Sequence, residues 1–169
     1  MPLDKSALFG FLEEVDKELD RPVTLVAVGG TALTLLDAKP STRDVDFTLP
    51  SVDYVEFNKV LKRIPHGFEV QCWKDCQVFS QFLPDDCIKK SVPIRKTKNI
   101  DLRALRPVDI VVTKIGRLEP KDKQDIESCI RRFHLTKREI ARRAKDVEYV
   151  GREENYRINL TYVLDNFFD

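Results

Sequence analysis

The chain predicts an α+β fold, in which a small β-sheet with flanking helices is followed by a C-terminal helical cap. Three features point there. Up to about residue 106, short β-branched and aromatic runs alternate with helix-period segments, and from Pro107 onward only helical periodicity remains. At 169 residues the chain can bury one good core but not two comfortable domains. The expected organisation is a core over residues 1–106 and a cap over 107–169, packed as one compact unit. No internal repeat or low-complexity linker interrupts it.

Each element has a local reason. Leu8, Phe9, Leu12, Val15 and Leu19 recur at helical spacing within residues 6–19, and Pro22 closes that helix. A strand over 23–28, a helix over 30–36, a loop through Pro40 and Ser41, and a strand over 44–49 follow. Ser51 or Asp53 can cap a helix over 54–64, which Pro65-His66-Gly67 ends. Residues 68–73 and 77–83 read as a strand pair, 84–98 as a polar basic loop, and 100–105 as a strand. Pro107 suits the first position of a helix. Helices are expected over 107–118, 120–133, 136–150 and 152–168, the third opened by a capping box of Thr136 and Glu139.

Composition narrows the function classes. With 42% hydrophobic and 34% charged residues the chain is globular rather than disordered, and no apolar run reaches the length of a membrane span. The opening Met1-Pro2-Leu3-Asp4-Lys5 lacks the apolar core of an export signal, so a cytoplasmic location is expected. Cys72, Cys76, Cys87 and Cys129 are then expected as reduced thiols. A zinc site of Cys72, Cys76 and His66 is the alternative, though its spacing departs from the usual C-x-x-C knuckle.

Net charge is +1, yet residues 4–20 carry six acids against two lysines, 89–98 five basic residues and no acid, and 131–145 seven basic residues against Glu139 alone. Two readings stand: a basic surface for nucleic acid, or the solvated faces of helices.

The densest chemical signal is Val28-Gly29-Gly30-Thr31, followed fourteen residues after Gly30 by Asp44-Val45-Asp46-Phe47. A buried strand running through glycines into a helix aims backbone N–H groups forward, which suits phosphate. On the second strand both carboxylates leave one face, about 7 Å apart, a spacing that suits a hard divalent cation. Arg43 beside them offers a planar fork for phosphate.

A second block, Lys114-Ile115-Gly116-Arg117 with Lys121-Asp122-Lys123-Gln124-Asp125-Ile126, comes much later. Lys114 and Arg117 share one helical face, and Asp122 and Asp125 share a face of the next helix. They read either as site residues or as an interhelical salt-bridge cluster, with Asp125 favouring the latter.

Over about residues 22–130 these blocks resemble the DNA polymerase β-like nucleotidyltransferase superfamily. The wording Ser41-Thr42-Arg43-Asp44-Val45-Asp46-Phe47, with the later lysine and aspartates, is similar to the stand-alone prokaryotic branch that includes AbiEii-type toxins. The resemblance implies the small mixed sheet of that superfamily. It implies Mg²⁺ held by Asp44 and Asp46, a nucleoside triphosphate met by Gly29, Gly30, Thr31, Arg43 and Lys114, and catalytic roles for Asp44, Asp46, Lys114 and Asp122. It further implies transfer of a nucleoside monophosphate to an acceptor hydroxyl, RNA being the natural guess, and an antitoxin-like protein partner.

One departure stands out. The superfamily places a third carboxylate on a strand following the helix after the Asp-x-Asp strand, and 77–82 holds no acid. Asp101 has the right local pattern one strand later, Asp122 could supply the base instead, or the site is weakened and the fold serves as a nucleotide-binding or regulatory module.

Overall fold

Alternation decides which face of the sheet is dry. In β2 (Val45–Leu49), Phe47 meets Phe57 of α3 (Ser51–Leu61) edge-on with ring centroids 5.8 Å apart. Val45, Phe47 and Leu49 therefore share the face that α3 covers, while Asp46 and Thr48 leave the other. The computed structural model describes residues 2–168. Its main sheet has the order β3-β2-β1-β7-β6, with β1 (Val23–Ala27), β3 (Val70–Lys74), β6 (Val92–Lys96) and β7 (Ile100–Ala104) completing it. Strand β1 runs parallel to β7 and antiparallel to β2, which is parallel to β3. The fold is thus the expected α+β arrangement with a mixed sheet.

Helix α1 (Lys5–Glu18) buries Leu8, Phe11, Leu12 and Val15 as its periodicity requires. Asp4 caps it by accepting the Ala7 N–H at 2.8 Å. Its last turn also organises a distant loop, since Asp16 Oδ1 accepts from Thr97 Oγ1 at 2.8 Å and from the Asn99 backbone at 2.7 Å. Asp53 is buried inside α3 instead of capping it, accepting from Arg21 and from the Thr24 N–H.

Three expectations change. Residues 77–83 do not continue as one strand beside 68–73: Asp75, Cys76 and Phe79 take left-handed backbone angles, and the chain folds into a hairpin of β4 (Gln77–Val78) and β5 (Gln81–Phe82). The hairpin gains a third strand from β8 (Glu148–Tyr149), which replaces the end of the helix expected over 136–150. The basic loop over 84–98 contains the edge strand β6, where Pro93 and a register shift between Pro93 and Arg95 suit a position with one unpaired side.

The cysteines differ too. Cys76 and Cys87 form a disulfide with Cα atoms 6.1 Å apart, while Cys72 and Cys129 are free. Cys76 is engaged in that disulfide, and among the described residues no three His, Cys, Asp or Glu side chains gather as a metal site, so the zinc set of Cys72, Cys76 and His66 does not form.

The C-terminal helices are α4 (Pro107–Lys114), α5 (Pro120–Phe133), α6 (Lys137–Ala144) and α7 (Glu153–Asn166), and the capping box of Thr136 and Glu139 is present. Arg143 of α6 is 7% exposed and grips the fully buried Asp109 of α4 through Nε at 2.6 Å and a terminal nitrogen at 3.2 Å, reaching Asp86 as well. Among the described residues no helix is long and apolar enough to cross a membrane.

Removing one member of a buried pair leaves the other uncompensated. Arg143→Ala is expected to destabilise the protein by about 3–5 kcal/mol in urea denaturation, whereas Arg143→Met with Asp109→Leu should restore much of that loss.

Candidate active site

Strand β1 delivers the chain to a turn that only glycine enters freely. Val28 donates its N–H to the Asp46 carbonyl at 3.0 Å, and Gly29, with φ +54°, starts α2 (Gly29–Leu35). A Cβ built on Gly29 would lie 3.9 Å from Asp46 Oδ2. The glycine turn and the second aspartate therefore adjoin. Gly30 serves closeness of another kind, because a Cβ there would stand 3.0 Å from Thr42 Oγ1.

Thr31 holds the two halves together. Its wholly buried hydroxyl donates to the Asp44 carbonyl at 3.1 Å and accepts from the Asp46 N–H at 3.0 Å. Expected at the nucleotide, Thr31 is instead committed to the backbone of the acidic strand and positions it. Thr42 adds a second hydroxyl on the Asp44 carbonyl at 2.9 Å.

Asp44 is exposed and Asp46 is 7% exposed. Burial, then the neighbouring Asp44 and Glu69 carboxylates, push the Asp46 carboxyl up to about 6, with Lys114 and Lys121 offsetting part of the rise. Glu69 is the acid that the sequence reading missed. The parallel register pairs Asp46 with Gln71, and Val45 donates to the Glu69 carbonyl at 3.0 Å. Period-2 alternation thus sets Glu69 and Gln71 on the face of Asp44 and Asp46. The signal is in the sequence: a strand is expected over 68–73, and β3 occupies Val70–Lys74 with Glu69 immediately before it.

Asp101 does not join this group. It pairs with Thr24 at the beginning of β1, whereas Gly29 follows the other end of that strand. Its near cation is Arg103 at 3.8 Å. Arg43 is exposed beside Asp44, and among the described residues it forms no ion pair.

The second block is brought to the same place. Lys114, 9% exposed at the end of α4, lies 3.0 Å from Asp125 and 3.6 Å from Asp122 of α5. Lys39 also reaches Asp125 at 3.4 Å. Asp122 is 1% exposed and saturated: Arg117 meets it through two nitrogens at 2.7 and 2.9 Å, and the Glu119 N–H donates at 3.1 Å. Burial opposes its ionisation, but Arg117, Lys114 and that N–H outweigh burial and hold the carboxyl below its usual range. A carboxylate so engaged orients Lys114 and Arg117.

Between these groups lies a cleft of about 300 Å³, bounded by Gly29, Thr113, Lys114, Arg117 and Asp122 on one side and by Val78, Phe79, Ser80, Gln81 and Tyr149 on the other. Gly116 explains part of that second wall. A Cβ on it would come within 2.7 Å of the Tyr149 ring, so the glycine admits the tyrosine. A cleft bordered by a glycine turn that adjoins Asp46, by the buried Lys114 and by the exposed Arg117 suits phosphoryl chemistry.

A family model described as a nucleotidyltransferase of unknown function (DUF6036) matches residues 6–165. The chain belongs to that family. Neither a curated protein nor a solved structure matches it. For a nucleotidyltransferase the donor set fits a hard divalent ion. Among the described residues no three His, Cys, Asp or Glu side chains form a ready-made cage, and a pair of carboxylates completed by substrate phosphates is how Mg²⁺ is ordinarily held. Burial first, and then the Asp44 and Glu69 carboxylates, raise the Asp46 carboxyl, and a bound cation would offset both.

Gly116→Ala is expected to cost about 1–3 kcal/mol in urea denaturation, because the added methyl must displace the Tyr149 ring or the backbone beneath it.

Proposed function

We propose that the protein is a Mg²⁺-dependent nucleotidyltransferase that moves a nucleoside monophosphate from a nucleoside triphosphate to an acceptor hydroxyl. The observation that carries this reading is that Gly29, which adjoins Asp46, borders a cleft whose charged lining is Lys114, Arg117 and Asp122. The N–H groups at the start of α2 and the Lys114 ammonium receive the triphosphate. Asp122 and Asp125 keep that ammonium in place. Asp44 and Asp46 would hold Mg²⁺, which would supply positive charge to offset the charge gathering on the transferred phosphorus. The acceptor oxygen attacks the α-phosphorus, the bond to the bridging α–β oxygen breaks, and pyrophosphate leaves. Glu69, immediately before the strand that pairs with β2, is the acid assigned to take the hydroxyl proton.

Glu69 also favours the transferase over a metal-free binding module, since the missing third acid was the reason to consider the module. RNA is the acceptor class we favour. Supporting it, a groove of about 370 Å³ is lined by Lys90, Arg106, Arg138 and Arg142 among others. Much of the basic surplus is structural, however: Arg143 is bound to Asp109 and Asp86, Arg95 to Glu13, and Arg131 to Glu127. Charge reversal aimed at RNA binding therefore belongs at Arg138 and Arg142.

Incubation with labelled nucleoside triphosphates, Mg²⁺ and total RNA should label RNA and release pyrophosphate. Asp46→Asn and Glu69→Gln are each expected to lower the rate on the order of 100-fold or more while the protein stays folded. Labelling equal to wild type in Asp46→Asn, or no transfer of any nucleotide to any acceptor, overturns the proposal.

A further inference from the structure

One buried side chain has an unfilled hydrogen-bonding capacity, and it lies in the cleft. Gln81 is 4% exposed, and its Oε1 is the one buried side-chain nitrogen or oxygen without a hydrogen-bond partner among the described residues. Such a group costs stability unless something else satisfies it. Its position is fixed by backbone pairing on both sides, to Val78 in β4 and to Tyr149 in β8. The carboxamide is therefore held at the cleft by a three-stranded scaffold rather than by a loose loop.

The surroundings describe the partner. Phe79, 42% exposed with φ +54°, packs its ring 4.5 Å from that of Trp73 and presents an aromatic surface to the cleft. Tyr149 borders the same space, seated between Gly116 and Gly151, where added Cβ atoms would come within 2.7 and 2.8 Å of its ring. Two aromatic rings beside one unpaired amide suit a flat heteroaromatic group that carries an N–H donor. On the opposite side stand the Gly29 turn, Lys114 and Arg117, which suit the anionic end of the same molecule.

We propose that Gln81 reads the nucleobase of the bound nucleotide, with Oε1 accepting a base N–H while Phe79 and Tyr149 flank the ring. The inference rests on the nucleotide-binding reading of the site and adds where the base lies and which side chain recognises it. Gln81 is then a specificity-determining residue that leaves the phosphate contacts untouched.

The test compares the four nucleoside triphosphates with inorganic tripolyphosphate, all with Mg²⁺, by titration calorimetry and thermal shift. Wild type should bind at least one nucleoside triphosphate roughly tenfold more tightly than tripolyphosphate and should rank the four bases. Gln81→Leu should flatten that ranking and remove the advantage over tripolyphosphate. Its binding of tripolyphosphate should stay the same, and its ligand-free melting temperature should be unchanged or higher because an unsatisfied polar atom is gone. Gln81→Glu, which keeps the acceptor but loses the amide donor, should reorder the bases rather than merely weaken them. Unchanged base ranking in both variants overturns the inference while leaving the site itself intact, and failure of wild type to bind both tripolyphosphate and every nucleotide overturns the underlying reading instead.

Discussion

A single hydroxyl couples the two halves of the site. Thr31 accepts from the N–H of Asp46 and donates to the carbonyl of Asp44, so the first turn of α2 and the first residues of β2 are locked in register. That lock adds to the antiparallel pairing of β1 with β2, which continues through the Val28–Asp46 backbone bond. The Thr31–Asp46 bond is buried and the Thr31–Asp44 bond partly so, where a lost partner is costly, so the geometry that sets Gly29 beside Asp46 is held by the fold rather than assembled by a ligand.

The opposite wall is organised by charge. Lys114, Lys39 and Arg117 would repel one another across so small a space, and Asp122 and Asp125 hold them apart in fixed places. The salt-bridge reading of the second sequence block describes this cluster, and the same cluster sets Lys114 and Arg117 at the cleft. Lys39, which belongs to the loop after α2, enters this cluster through Asp125 and ties that loop to α5.

What could be read from the sequence was local. The main strands, most helices, the capping box at Thr136 and the facing of Asp44 and Asp46 follow from period and turn chemistry over a few residues. Glu69 was legible as a strand residue, yet its role depends on β3 lying parallel to β2, a long-range pairing that no short pattern specifies. Thr31 shows the converse. Its place in the motif was plain, but whether its hydroxyl faces ligand or backbone depends on where Asp44 and Asp46 come to rest. The split of 77–83 was hidden because left-handed angles at Asp75, Cys76 and Phe79 fall on residues that do not announce them as glycine would. Asp101 misled because alternation fixes a side chain's face and says nothing of which end of a parallel strand it occupies.

The bond between Cys76 and Cys87 closes a covalent ring around the hairpin. Phe79, Ser80 and Gln81 all lie within it, and Arg143 moors the adjoining Asp86 to the helices. Phe79 and Gln81 thus share one frame, closed covalently at its base by two sulfur atoms and along its far edge by the pairing of β5 with β8.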